Sequence, residues 1–283
     1  MFFTSFRAQF NFALRQRASQ LVFWLLFLLV GLNYASNVVA FQGMDLTNMY
    51  HPMKLLTLSY NRIYYNSGTT LLIVQIYPLL VACPAGLIYA REKSMGMNTL
   101  VEGRIGGVTY KFSKLLAVFC STSLIFALPF LIEILLNCIA FPSEAIGDFS
   151  YLNSYDSEYL QWVEQYAFHE LYASSPCVYA VAMTFIFGIL SGILGMAACA
   201  FSMIVPVNYR LMYLMPTFIV LNSTIYFWDS FFDFGVEVRW YNYFLIFNEE
   251  KKSMLGFTTV LFALVCASII SAYISGRRDC IER

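Results

Sequence analysis

Six apolar runs set the terms for this chain. They lie at about 21–41, 71–90, 115–141, 176–205, 211–228 and 255–275. Each is long enough to cross roughly 30 Å of hydrocarbon at about 1.5 Å per helical residue. Backbone amides in lipid must find partners within their own segment, so runs of this length predict helices rather than loops or open strands. Only 12% of side chains are charged and 59% are hydrophobic, against about 25% charged in a soluble domain. The expectation is an all-α integral membrane protein: one transmembrane domain over 1–283 with six transmembrane helices.

The interruptions orient the runs. An even number of crossings leaves both termini on one side. Segments 1–20, 91–114, 205–210 and 276–283 hold 12 of the 17 Lys and Arg residues, and the alternate segments hold 5. Short cytoplasmic loops are rich in Lys and Arg, so both termini and the 91–114 segment are expected in the cytoplasm of a multi-pass cell-membrane protein. Arg7, Arg15 and Arg17 precede a first run too long for the apolar core of a cleavable leader, so none is expected. The outer loop at 142–175 has six acids and no Lys or Arg.

Two segments look interfacial. In 1–20, Phe2, Phe3, Phe6, Phe10, Ala13 and Leu14 gather on one helical arc, while Thr4, Arg7, Asn11 and Arg15 lie away from it. That pattern predicts a helix lying along the membrane surface among lipids. In 229–254, rings such as Trp240, Tyr241 and Tyr243 interleave with Asp229, Asp233, Glu237 and Arg239. Both a re-entrant helix and an aromatic belt at the headgroups fit it.

No catalytic set is legible, so the chain is expected not to be an enzyme. His51 and His169 stand alone in outer loops, which argues against a metal site. The phosphate-cradling G-x-x-x-x-G-K-[ST] loop is absent, as are the G-x-S-x-G and H-E-x-x-H motifs, and nothing suggests nucleic acid. Energy for directed work must then come from an ion gradient or a partner.

Several polar groups lie within the runs. Glu133 follows Pro129 by four residues and precedes Asn137 by four, placing all three on one helix face. A carboxylate at that depth normally faces a bundle interior or a wet cavity. It reads either as a pathway-lining, proton-exchanging group or as a hydrogen-bonded tie between helices. Asn33, Asn37, Gln75 and Asn222 are weaker candidates of the same kind. Gly188, Ser191, Gly192 and Gly195 form a small-residue face, for packing within one subunit or between two. Pro78, Pro84 and Pro216 predict bends. Of seven cysteines, Cys138 and Cys177 fall near the outer ends of their helices and are candidates for a disulfide.

The 91–114 segment carries a pattern. Arg91-Glu92-Lys93-Ser94-Met95-Gly96, then Arg104, then Tyr110-Lys111-Phe112-Ser113-Lys114-Leu115-Leu116 resembles the ABC-2-type permeases of ABC transporters. Glu92, Lys93 and Gly96 match that family's E-[RK]-x-x-G element, and Lys114-x-Leu116 matches the run opening its third helix. Six spans with both ends inside, an interfacial N-terminal helix and an outer re-entrant segment between helices 5 and 6 are similar too. Pro129 to Ile132, and Phe141 with Pro142, resemble a branch in Gram-positive bacteria, so a bacterial source is expected. The long acidic outer loop departs from the family pattern. The resemblance implies that 91–114 contains a cytoplasmic coupling helix on which a separate ATPase subunit docks. Arg91, Glu92, Lys93, Gly96, Met97, Leu100, Glu102 and Arg104 would be the coupling residues. Glu92 would pair with a basic residue of the ATPase, and Met95, Met97, Leu100 and Val101 would fill its cleft. ATP and Mg would bind the partner, with no cofactor in this chain. A second permease copy, identical or related, would complete an exporter, with lipids around it. Two other classes stay open: a proton-coupled secondary transporter using Glu133, and a non-transporting membrane scaffold or sensor.

Overall fold

The computed structural model describes residues 2–42, 52–59, 67–141, 168–205, 210–226, 240–243, 245–246 and 254–281. Every regular element among them is helical: α1 (Phe2–Arg15), α2 (Arg17–Ala40), α3 (Ser67–Ser94), α4 (Met97–Ile105), α5 (Gly107–Ala140), α6 (His169–Ser174), α7 (Pro176–Ile204), α8 (Met215–Tyr226) and α9 (Met254–Ile281). Short 3-10 turns occupy Pro52–Leu55, Arg210–Tyr213 and Trp240–Tyr243.

Among the described residues, four helices are long and apolar enough to cross a membrane: Arg17–Ala40, Gly107–Ala140, Pro176–Ile204, and Thr258–Arg277 within α9. They divide by position. More than half of the apolar stretch of α5 and of α7 is buried, against 28% for α2 and 22% for α9. So α5 and α7 form the centre, while α2 and α9 lie outside and leave Trp24, Leu28, Leu32, Phe262 and Ile270 uncovered. Such surface suits lipid.

Glycine brings α5 and α7 together. A methyl group at Gly188 would stand 2.9 Å from Ala127 Cβ, and one at Gly192 would stand 2.8 Å from the Phe119 carbonyl oxygen. At Gly195 it would meet Thr122 Oγ1 at 2.9 Å. The small-residue face of α7 is therefore filled by α5 of the same chain. Close backbone approach of this kind strengthens van der Waals packing, the main attraction between helices in lipid.

The other two expected spans, 71–90 and 211–228, fall on α3 and α8. Pro78 and Pro84 lie inside α3, which stays helical over 28 residues. Among its described side chains, Leu72–Pro84 form a continuous apolar stretch. The run at 211–228 begins with the Arg210–Tyr213 turn, and α8 then covers 12 residues, about 18 Å. Pro216 sits in the first turn of α8 instead of bending a longer helix, at a position where its missing N–H costs nothing. Residues 227–228 and most of the acidic 142–175 loop lie outside the described residues, apart from the short α6 and its flanks.

In the 229–254 segment, 240–243 and 245–246 are described, and they turn inward. Trp240 stacks on Tyr77 with ring centroids 4.8 Å apart and donates Nε1–H to the Leu221 carbonyl at 3.1 Å. Ile246 N–H donates to the Leu58 carbonyl at 2.9 Å. Trp240, Leu245 and Ile246 are buried with Tyr77, Phe126, Phe130 and Phe187 in one core. These residues do not form a lipid-facing belt.

Candidate functional site

The charged interruption folds into an elbow. Helix α3 stops at Ser94, and Gly96 takes a left-handed φ of 68° before α4. A second glycine, Gly106 with φ 85°, separates α4 from α5. Glycine reaches this region without the Cβ penalty that other residues bear, so two sharp turns fit within a dozen residues. Arg91 and Lys93 close α3 and Arg104 closes α4, each basic charge near a carbonyl-rich helix end.

One face of the elbow turns inward. Glu92, Asn98 and Glu102 are buried, each no more than 7% exposed. Lys114, one full turn and more inside α5, forms an ion pair with Glu92 Oε2. The Tyr110 hydroxyl lies within reach of the same oxygen and of Asn98 Oδ1, the latter at 2.7 Å. With a single proton it donates to one of them at a time. The Lys114 ammonium also stands over the rings of Tyr89 and Tyr110, at 5.7 and 5.4 Å from their centroids. Lys111 lies 4.0 Å from Glu102 and donates to Ser275 Oγ at 2.7 Å, while Ser275 donates to the Met203 carbonyl at 3.2 Å. Two lysines are thus fully enclosed, each with an acid beside it. Buried ammonium groups persist only with that compensation.

The network corrects two expectations. Residues 107–114 belong to α5 instead of a loop, so Lys111 and Lys114 are helix-interior groups. Glu92, expected to reach out to a basic residue of another protein, is already neutralised by Lys114 of its own chain, and Glu102 likewise faces inward. Spacing alone hid this, because Glu92 and Lys114 stand 22 residues apart across two turns.

The other face is open. Lys93, Met95, Gly96, Met97, Leu100 and Arg104 are exposed, Leu100 by 71%, while Arg91 and Val101 are half-buried. Lone apolar side chains on a surface are ordinary, but three of them beside two cations on one short connector make a compact contact patch. Helix α1 braces the elbow from the side. Gln9 Nε2 donates to Ser113 Oγ at 2.9 Å, Ser5 Oγ lies 2.9 Å from the same atom, and Ala13 is buried. Thr4, Arg7, Asn11 and Arg15 are exposed, as their arc predicted.

A second polar site lies toward the far end of α5. Pro129, Glu133 and Asn137 are all buried, as their shared face required. Glu133 Oε1 accepts from Asn33 Nδ2 at 2.9 Å, Thr57 N–H at 2.8 Å and Thr57 Oγ1 at 2.5 Å. The other Asn33 amide hydrogen and one from Asn37 go to the Leu55 carbonyl, both at 2.9 Å. Glu133 therefore ties α2 and the 52–59 segment to α5. Among the described residues, its Oε2 and both amide atoms of Asn137 meet no hydrogen-bond partner. Thr57 was not a sequence candidate, since nothing in a loop threonine announces a buried carboxylate. Asn222 bonds the Phe218 carbonyl of its own helix at 2.9 Å, and Gln75 is exposed. Neither joins the Glu133 site. Among the described residues no cluster of metal-ligating side chains occurs, and His51 and the His169 side chain lie outside them.

These features define a chain that is helical throughout its described residues, with several helices long and apolar enough to cross a membrane, a charge-locked elbow at one end and a hydrogen-bonded polar tie at the other. No family model, no curated protein and no solved structure matches it.

Proposed function

We propose that this chain is the permease subunit of an ABC-2-type exporter, dimerising in the cell membrane and driven by separate ATPase subunits that carry the ATP and Mg. In this reading the chain crosses six times, with both termini and the elbow in the cytoplasm, and the 229–254 segment re-enters from outside. The observation that supports it is the two-faced elbow. Its inward acids are fastened to α5, while Lys93, Met95, Met97, Leu100 and Arg104 are offered to a partner. A push on α4 would pass through the Asn98–Tyr110 hydrogen bond and the Glu102–Lys111 pair into α5, and through Lys111 and Ser275 toward α9 and α7. Such transmission needs stiff, discrete contacts. The coupling role falls on the exposed residues, and Glu92 and Glu102 serve as internal anchors.

The test is purification of the tagged chain in nanodiscs. A stoichiometric ATP-hydrolysing polypeptide should accompany it, and Met97→Asp with Leu100→Asp should release that polypeptide while the chain stays folded. Absence of any nucleotide-hydrolysing partner from the intact complex ends the reading.

A second reading, a proton-coupled carrier, draws on Glu133 Oε2 and the Asn137 amide, which meet no partner among the described residues. It requires that transport survive inactivation of every ATPase yet be lost in Glu133→Gln.

A further inference from the structure

The glycine seam has a register. Ala127 faces Gly188, and eleven residues further along α5, and eleven back along α7, Cys138 faces Cys177. Eleven residues make three helical turns, so the antiparallel helices return to the same facing edges at that distance. The two sulfurs lie 3.8 Å apart. This is where an antiparallel pair held at close range must place them. Cys138 is exposed and Cys177 partly so, whereas Cys199, further along α7, is fully buried.

We propose that Cys138 and Cys177 form a reversible disulfide that staples α5 to α7 at the end of the seam remote from the elbow. Oxidation is by thiol–disulfide exchange with a disulfide of the surroundings, either a low-molecular-weight disulfide or an oxidoreductase. The Cys138 thiolate attacks one sulfur of that disulfide and expels the other as a thiolate. Cys177 then attacks Cys138 Sγ and displaces the second thiol. Two protein thiols and one external disulfide become one protein disulfide and two external thiols, so electrons and protons balance. The extracellular face favours such bonds and the cytoplasm does not. The proposal therefore rests in part on the orientation given above, with this end outside.

The staple spans the acidic 142–175 stretch in sequence and closes it into a loop. It leaves the elbow end of α5 untouched, since Lys111 and Lys114 lie more than twenty residues away along the helix. An oxidised chain would let α5 pivot against α7 but not separate from it at this end.

Two measurements test it on the full chain. Purified protein in nanodiscs is treated with diamide, alkylated and mapped by mass spectrometry. A peptide linked through Cys138 and Cys177 is expected, with Cys199 still free. Separately, thiols are trapped in intact cells by acid and alkylation before and after an impermeant reductant. Cys138 and Cys177 should become alkylatable together, only after the reductant. Reduction should also lower the melting temperature of the wild type by about 5 °C and leave Cys177→Ala unchanged. Two cysteines that stay separately free under diamide overturn the geometry. A pair that links in nanodiscs but is fully reduced in cells overturns the bond in the working protein. Neither result bears on the ATPase, whose presence is read by co-purification alone.

Discussion

Glu92 and Glu133 are both acids enclosed by helices, yet their surroundings differ in kind. Glu92 meets a lysine ammonium and a phenol, at a corner where a second lysine and a second acid lie close by. Glu133 meets two amide-type donors and one hydroxyl, and among the described residues no ion pair reaches it. Charge at the elbow is cancelled by opposite charge. At the far end the described partners hold the carboxyl by dipoles on its Oε1. The first arrangement is rigid because either partner alone would be a stranded ion. The second is a set of ordinary hydrogen bonds whose loss leaves several modest orphans.

Breaking the elbow should therefore cost most. Lys114→Met leaves Glu92 buried without its counter-charge and should destabilise the chain by about 3–5 kcal/mol in reversible unfolding from mild detergent. Adding Glu92→Gln to that variant should return most of the loss, because two neutral groups need no compensation. A double variant as weak as the single one would mean the pair is not the source of the cost. Glu133→Leu should be milder, about 1–3 kcal/mol, since it orphans donors of Asn33 and Thr57 without exposing a charge. Glu133→Gln retains an acceptor at Oε1 and should cost under about 1 kcal/mol in the same assay. If it instead matched Lys114→Met, Glu133 would be an ionised group with a counter-charge, and the contrast would fail. The smallest effect is expected at Asn137. Both of its amide atoms lack partners among the described residues, so Asn137→Leu should be neutral or slightly stabilising by thermal unfolding. A clear loss there would reveal a polar guest beside Glu133.

Much of this was legible along the chain. Continuous apolar runs announce α2, α5, α7 and α9, because lipid accepts backbone only as helix or closed barrel. The interval of four between Pro129, Glu133 and Asn137 places them on one buried face. The arc of Thr4, Arg7, Asn11 and Arg15 anticipates the exposed stripe of α1. Less was legible where an apolar run is interrupted by special backbone. The 211–228 run reads as one continuous helix, but its start is a 3-10 turn and α8 begins only at Met215. At the elbow, a dense run of charge reads as solvated, yet half of it is internal.

What the residues determined on their own is whatever depends on neighbours along the chain: helix, apolarity, and the two glycine turns that bound α4. The tertiary arrangement alone decided which charges meet. Lys114 finds Glu92 across an elbow, Thr57 reaches Glu133 from a distant segment, and Trp240 seals the core over Tyr77. Electrostatic and hydrogen-bond energies depend on separations of a few ångströms in space, and sequence spacing does not set those once the chain has turned back on itself.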